Sequence, residues 1–183
     1  MIQIDEDIVI RCQRGEKDAF REVVAAYQRM VFSLALKMLC DEDEAKDMVQ
    51  ETFVKVWLNM SEYDCRRSFS TWIYTIALRT CLDRIKSQRR TLPMPEDEAV
   101  FRDFATEEDG LRTLENREWA SIVRVLAEGL GEKQRVVFTL VQLEGFSSQE
   151  VEEMTGWDAK QVKSKLYGAR QTIRERLKML GYE

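Results

Sequence analysis

The 183-residue chain contains no histidine. The commonest general base and the commonest metal ligand are therefore missing. Its four cysteines, Cys12, Cys40, Cys65 and Cys81, are widely spaced and form no Cys-x-x-Cys pair. That spacing argues against a zinc site and for reduced, mostly buried thiols. Two prolines and eight glycines leave few turn signals, which disfavours an all-β chain. No glycine-rich phosphate loop is present. No apolar run approaches the ~20 residues that span a bilayer. The opening MIQIDEDIVIRCQRGEKD lacks the basic and apolar regions of a signal peptide. These absences lead us to expect a cytoplasmic protein with no membrane span, no cofactor, no metal and no enzymatic activity.

What is present is charge, and it is sorted. The net charge is −5, yet residues 160–178 carry seven Lys/Arg against the single acid Glu175. Residues 66–90 carry seven Arg/Lys against Asp83. Residues 41–51 reverse the sign, with six acids against Lys46. Cationic faces suit nucleic acid, and an acidic helix beside them suits a second, protein partner.

The hydrophobic content of 44% with 33% charged residues fits a helix-rich globular chain. Apolar residues recur every three or four positions in the segment from Lys17 to Met38 (Phe20, Val23, Val24, Tyr27, Val31, Leu34) and again after Asp41 (Ala45, Met48, Val49, Thr52, Phe53, Val56, Trp57). Asp41 or Asp43 is the expected N-cap of the latter helix. Residues 59–70 read as a polar loop, and Ser70 or Thr71 as the start of a helix with Trp72, Ile73, Ile76, Ala77, Leu82 and Ile85 inward. Both prolines open an acidic stretch, and residues 96–118 hold nine Asp/Glu against three Arg. The expectation is an all-α chain of two small helical domains, 1–91 and 113–183, joined by an acidic linker at 92–112.

In the second unit a helix is expected over 114–126, broken by Gly129 and Gly131, then a helix ending at Gly145. Ser148 to Thr155, Gly156 and a long final helix make a helix-turn-helix pattern. Val151, Met154, Val162, Leu166 and Ala169 would face the core. Lys160, Gln161, Lys163, Ser164, Lys165, Tyr167 and Arg170 are the candidate readers of duplex DNA, because an α-helix fits the major groove, where Lys suits guanine and Gln suits adenine. Arg174, Arg176 and Lys178 are better placed for phosphates. Solvation of a surface helix would explain any one of these charges; the turn, the core spacing and the one-signed face together favour DNA.

The segments DAFREVVAAYQRMVFSLALKML, DEDEAKDMVQETFVKVWLNM and FSTWIYTIALRTCLDRIKSQRR resemble, in order, the first conserved domain of extracytoplasmic-function (ECF) sigma factors of the sigma-70 family. LGEKQRVVFTLVQLEGFSSQEVEEMTGWDAKQVKSKLYGARQTIRERL resembles their second. The resemblance implies a specificity subunit that binds core RNA polymerase, recognises promoter −35 and −10 elements and helps open DNA. It also implies an anti-sigma factor as a partner. Asp47, Gln50, Glu51, Phe53 and Trp57 correspond to the polymerase-binding helix, although Phe53 and Trp57 also fit the core. Arg66, Arg67, Phe69, Trp72, Tyr74, Arg79 and Lys86 correspond to the −10 reader, where aromatic faces and cations capture unstacked bases. The spacing of Trp72 fits the core as well; Tyr74, opposite that stripe, is the better exposed aromatic. Arg79 stands where the family often has Asn, and Gly168 where it often has a basic residue. The acidic linker is expected to fold back on the basic faces in the free chain. A conventional helix-turn-helix repressor and a helical adaptor for acidic proteins are the rival readings.

Overall fold

The computed structural model describes residues 4–66, 68–91 and 129–179. Among these residues every regular element is helical. Helix α1 (Glu6–Gln13) starts at Asp5, whose carboxylate accepts from the Asp7 amide at 3.0 Å. Helix α2 (Lys17–Leu39) ends at Cys40, which takes a left-handed φ of 57° and donates its N–H to the Leu36 carbonyl. Helix α3 (Glu42–Leu58) is capped by Asp41, accepting from the Glu44 amide at 2.9 Å. Glu42, Asp43 and Glu44 fill its first turn, where the helix dipole favours negative charge. After a 3-10 turn (Met60–Glu62) comes α4 (Phe69–Thr91). It begins slightly earlier than Ser70 or Thr71, because the Ser68 hydroxyl accepts from the Thr71 amide at 3.4 Å.

The second unit holds α5 (Glu132–Phe138), a single π turn (Thr139–Leu143), α6 (Ser148–Thr155) and α7 (Ala159–Met179). The expected linker at 92–112 and the expected helix at 114–126 lie outside the described residues, as does any folding back of that linker.

Helices α2, α3 and α4 pack on one another, with α1 against α2. Val23, Tyr27, Val31 and Leu34 meet Ala45, Met48 and Val56, and Ile73, Ala77, Leu78 and Cys81 close the third side. Each aliphatic side chain withdrawn from water contributes about 1.5–3 kcal/mol before entropy is charged against it. Tyr27 carries its polar tip into this core, and its hydroxyl is satisfied by Ser70 Oγ at 3.1 Å. Leu130, Ala169 and Ile173 form a smaller cluster between the start of α5 and α7.

The two units are not separate beads. Val136, Val137, Leu140, Val151, Met154 and Val162 belong to the same continuous apolar cluster as α2, α3 and α4. Helix α6 lies against α4. Sequence periodicity gave no sign of this seam.

Candidate functional site

The helix-turn-helix is built as its composition demands. Ser147 and Glu150 form a reciprocal capping box at the start of α6: the Ser147 hydroxyl accepts from the Glu150 amide at 3.3 Å, and the Ser147 amide donates to the Glu150 carboxylate at 2.8 Å. Gly156 ends the helix in the left-handed conformation, φ 72°. Asp158 then caps α7, accepting from the Gln161 amide at 2.8 Å, while Gln161 Oε1 accepts from the Asp158 amide at 3.3 Å. Gln161 is thus exposed but partly engaged in holding the helix start.

Val162, Ala169 and Ile173 are buried, which aims the opposite face of α7 outward. Lys160, Lys163, Ser164, Tyr167 and Arg170 are exposed on it, and Lys165 is half-buried. Tyr167 is 67% exposed, large for an aromatic, and accepts from Gln171 Nε2 at 3.1 Å. Arg170 Nε donates to Gln142 Oε1 at 3.3 Å. Gly168 is where α7 runs close to α5. A Cβ there would sit 2.6 Å from Gln134 Nε2, and the same Gln134 side chain accepts from the Gly131 amide at 2.9 Å. A basic side chain at 168 would have to displace that cap.

The aromatic residues around α4 behave differently from expectation. Phe69 is buried, edge-on to Tyr27 and Tyr63 with ring centroids 5.7 and 5.0 Å away, and stacked on Trp72. Trp72 is half-buried, as its spacing allowed. Tyr74 is not the exposed aromatic the helical wheel suggested. It is 6% exposed, covered by Phe146 of the second unit (centroids 4.7 Å, edge-on), and its hydroxyl donates to Glu144. Burial, reinforced by that hydrogen bond and by the Glu144 charge, holds its phenol well above the ordinary value of 10.0. The cations fare better. Arg66, Arg79 and Lys86 are exposed, and Arg66 faces Asp64 at 3.9 Å. Arg67 lies outside the described residues.

On α3, Asp47, Gln50 and Glu51 are exposed, with Glu51 paired to Lys55 at 2.8 Å. Phe53 is buried edge-on against Phe20, and Trp57 is half-buried with its ring 4.9 Å from Phe20. Both serve the core. The apolar residues that do face out are Val54 and Leu58, 57% and 70% exposed. They continue the 47–50–51 stripe at helical spacing, a signal the sequence carried and the larger aromatics obscured.

The region from 23 to 91 matches the family model for sigma-70 region 2, and 121 to 173 matches sigma-70 region 4. Among curated relatives, the ECF sigma-E factor of Haemophilus influenzae is 30% identical over 183 residues, covering 96% of each chain. SigW of Bacillus subtilis is 27% identical, covering 92% of this chain and 94% of its own. The chain belongs to the ECF group of the sigma-70 family.

Solved structures share the sigma factor's fold. CnrH in complex with the cytosolic domain of CnrY has a TM-score of 0.69 at 24% identity, covering 96% of this chain and 97% of its own. RpoE in complex with the anti-sigma factor NepR from Bartonella quintana has a TM-score of 0.66 at 21% identity, covering 89% and 98%. No helix among the sigma factor's described residues is long and apolar enough to cross a membrane, and those residues contain no cluster of metal-ligating side chains.

Proposed function

We propose that this sigma factor divides promoter recognition between its two cationic helices and docks core RNA polymerase through α3. The observation that carries the reading is the outward face of α7. Lys160, Lys163, Ser164, Tyr167 and Arg170 stand exposed on one side of a helix whose other side is anchored by Val162, Ala169 and Ile173. A rigidly seated, one-signed helix following a tight turn is the form that enters a major groove. Lys163 and Ser164 are assigned to base edges of the −35 duplex. Arg170, Arg174 and Lys178 are assigned to phosphates, and Lys165, half-buried, to backbone contact by its exposed tip.

In the first unit Arg66, Arg67, Arg79 and Lys86 are assigned to the opened −10 strand, with Trp72 as the partly accessible stacking face. Phe69 supports that face from below rather than meeting DNA. Tyr74 can join only when the second unit moves away. Asp47, Gln50 and Glu51, flanked by Val54 and Leu58, form a mixed polar and apolar stripe suited to a helix of the polymerase. Phe53 and Trp57 position α3 from within. An anti-sigma factor is proposed as a further partner, since one solved structure of this fold, RpoE with NepR, is a complex with such a protein. No catalytic role is proposed.

The test is multi-round transcription from a promoter library with purified core polymerase. Start sites that depend on the added chain and share two spaced elements support the reading. Operator-like binding that needs no polymerase and leaves its start sites unchanged would favour the repressor alternative.

A further inference from the structure

The seam between the two units is fastened by a polar latch as well as by apolar contact. Its centre is Glu144, at the end of the π turn. The Glu144 amide donates to the Thr139 carbonyl at 3.0 Å and the Phe146 amide to the Leu140 carbonyl at 2.9 Å. Gly145 between them has φ 76°, which a side chain would strain. This tight exit from α5 throws Glu144 and Phe146 toward the first unit together. One carboxylate oxygen of Glu144 takes the ammonium of Lys37 and the other takes the Tyr74 hydroxyl. The Lys37 and Glu144 side chains are only 22% and 13% exposed. Phe146 covers the Tyr74 ring, and Arg135 Nη1 donates to the Met38 carbonyl at 3.0 Å, at the negative end of α2.

We infer that Glu144, Lys37, Tyr74 and Phe146 form an autoinhibitory latch that holds the free sigma factor closed, so that it cannot engage the −35 and −10 elements together until a partner separates the units. The inference rests on the promoter-binding reading above and adds its regulation. The dimensions say why closure would inhibit. The two elements lie about 25 base pairs apart, which is about 85 Å of duplex at 3.4 Å per base pair. A compact chain of this length is about 40 Å across. Closure leaves the −35 face of α7 free but buries Tyr74. It therefore blocks combined recognition, not contact with an isolated −35 site.

A half-buried ion pair is costly to break from one side, because removing or reversing one charge leaves the other unpaired. Reversing both should restore it, with the Tyr74 hydroxyl now accepting from a lysine at 144. The experiment is X-ray scattering of the full-length chain carrying Glu144→Lys, Lys37→Glu, both together, or Phe146→Ala, with helicity checked by circular dichroism. The wild type and the double swap are expected to scatter as compact particles. Both single reversals and Phe146→Ala should expand measurably at unchanged helicity. The expanded variants should bind core polymerase several-fold more tightly than wild type, since they no longer bear the cost of opening. Singles as compact as wild type would overturn the latch. So would a double swap that stays expanded while retaining native helicity. If a variant loses helicity, Phe146→Ala, which removes no charge, decides in its place. If no form binds polymerase, the sigma-factor reading fails, while the scattering still decides whether the latch exists.

Discussion

Arg84 grips Glu44 from the neighbouring helix, with Nη2 and Nε donating to the two carboxylate oxygens, the former at 2.7 Å. The pair ties α4 to α3 and neutralises one cation of the basic stretch proposed to meet the −10 strand. The Arg84 hydrogen bond outweighs desolvation and holds the Glu44 carboxyl below its ordinary value of 4.5. A lowered carboxyl contributes stability above the unfolded value that disappears as pH falls through the folded one. Arg84→Ala is therefore expected to cost about 1 kcal/mol at neutral pH, the upper end for partly exposed pairs. The deficit should shrink in acid as Glu44 becomes protonated. Urea denaturation of both forms at pH 7 and pH 3 checks this; an equal deficit at both values would remove the ion pair from the explanation.

At the alkaline end the sign reverses. Burial pushes the Cys81 thiol up to about 12 from 9.0 and holds Tyr74 above 10.0. The unfolded chain releases these protons first, so stability is lost as pH rises beyond those ordinary values, by up to about 1.4 kcal/mol per pH unit for each group. Tyr74→Phe should lose less stability than wild type between pH 10 and 12. Parallel pH profiles for the two proteins would contradict the assignment.

Lys163→Ala should weaken binding to −35 duplex by about 1–3 kcal/mol if Lys163 meets a base edge. Binding to core polymerase should not change. A companion Arg174→Ala should instead weaken all duplexes alike and lower the salt slope by about one. Fluorescence anisotropy across a salt titration distinguishes the two patterns.

The α3 stripe makes the complementary prediction. Glu51→Lys and Leu58→Asp should each reduce affinity for core polymerase tenfold or more. Because both positions are exposed, folding stability should stay within about 0.5 kcal/mol, and −35 binding should be untouched. Phe53→Ala should behave otherwise, losing about 3–5 kcal/mol of stability as a cavity opens beside Phe20. Pull-down with polymerase alongside thermal melting separates a contact from a core position.

Much of the fold was legible because local chemistry determines it. Asp41, Gly145 and Gly156 announced a helix start and two helix ends, and each does that work in the structure. The outward face of α7 followed from the period of Val162 and Ala169. Tyr74 could not be read this way. Helical periodicity locates the face that meets the nearest helices, but α4 is covered on two sides, by α2 and α3 and again by α6. Its buried arc takes in Ile73, Tyr74, Ala77, Leu78 and Cys81, wider than one stripe. The second covering depends on Glu144 and Phe146, about seventy positions away, and nothing local to α4 encodes them. Val54 and Leu58 were missed for the opposite reason: their helical spacing with Asp47, Gln50 and Glu51 was there to read, but it stands out only once the core has claimed Phe53 and Trp57.

Three of the four thiols are buried, while Cys65 is exposed beside Arg66 in the loop before α4. A maleimide dye should therefore find a single address on the native molecule. That address adjoins the edge proposed to capture the opened strand, so a dye on the unmodified sequence is expected to report promoter melting.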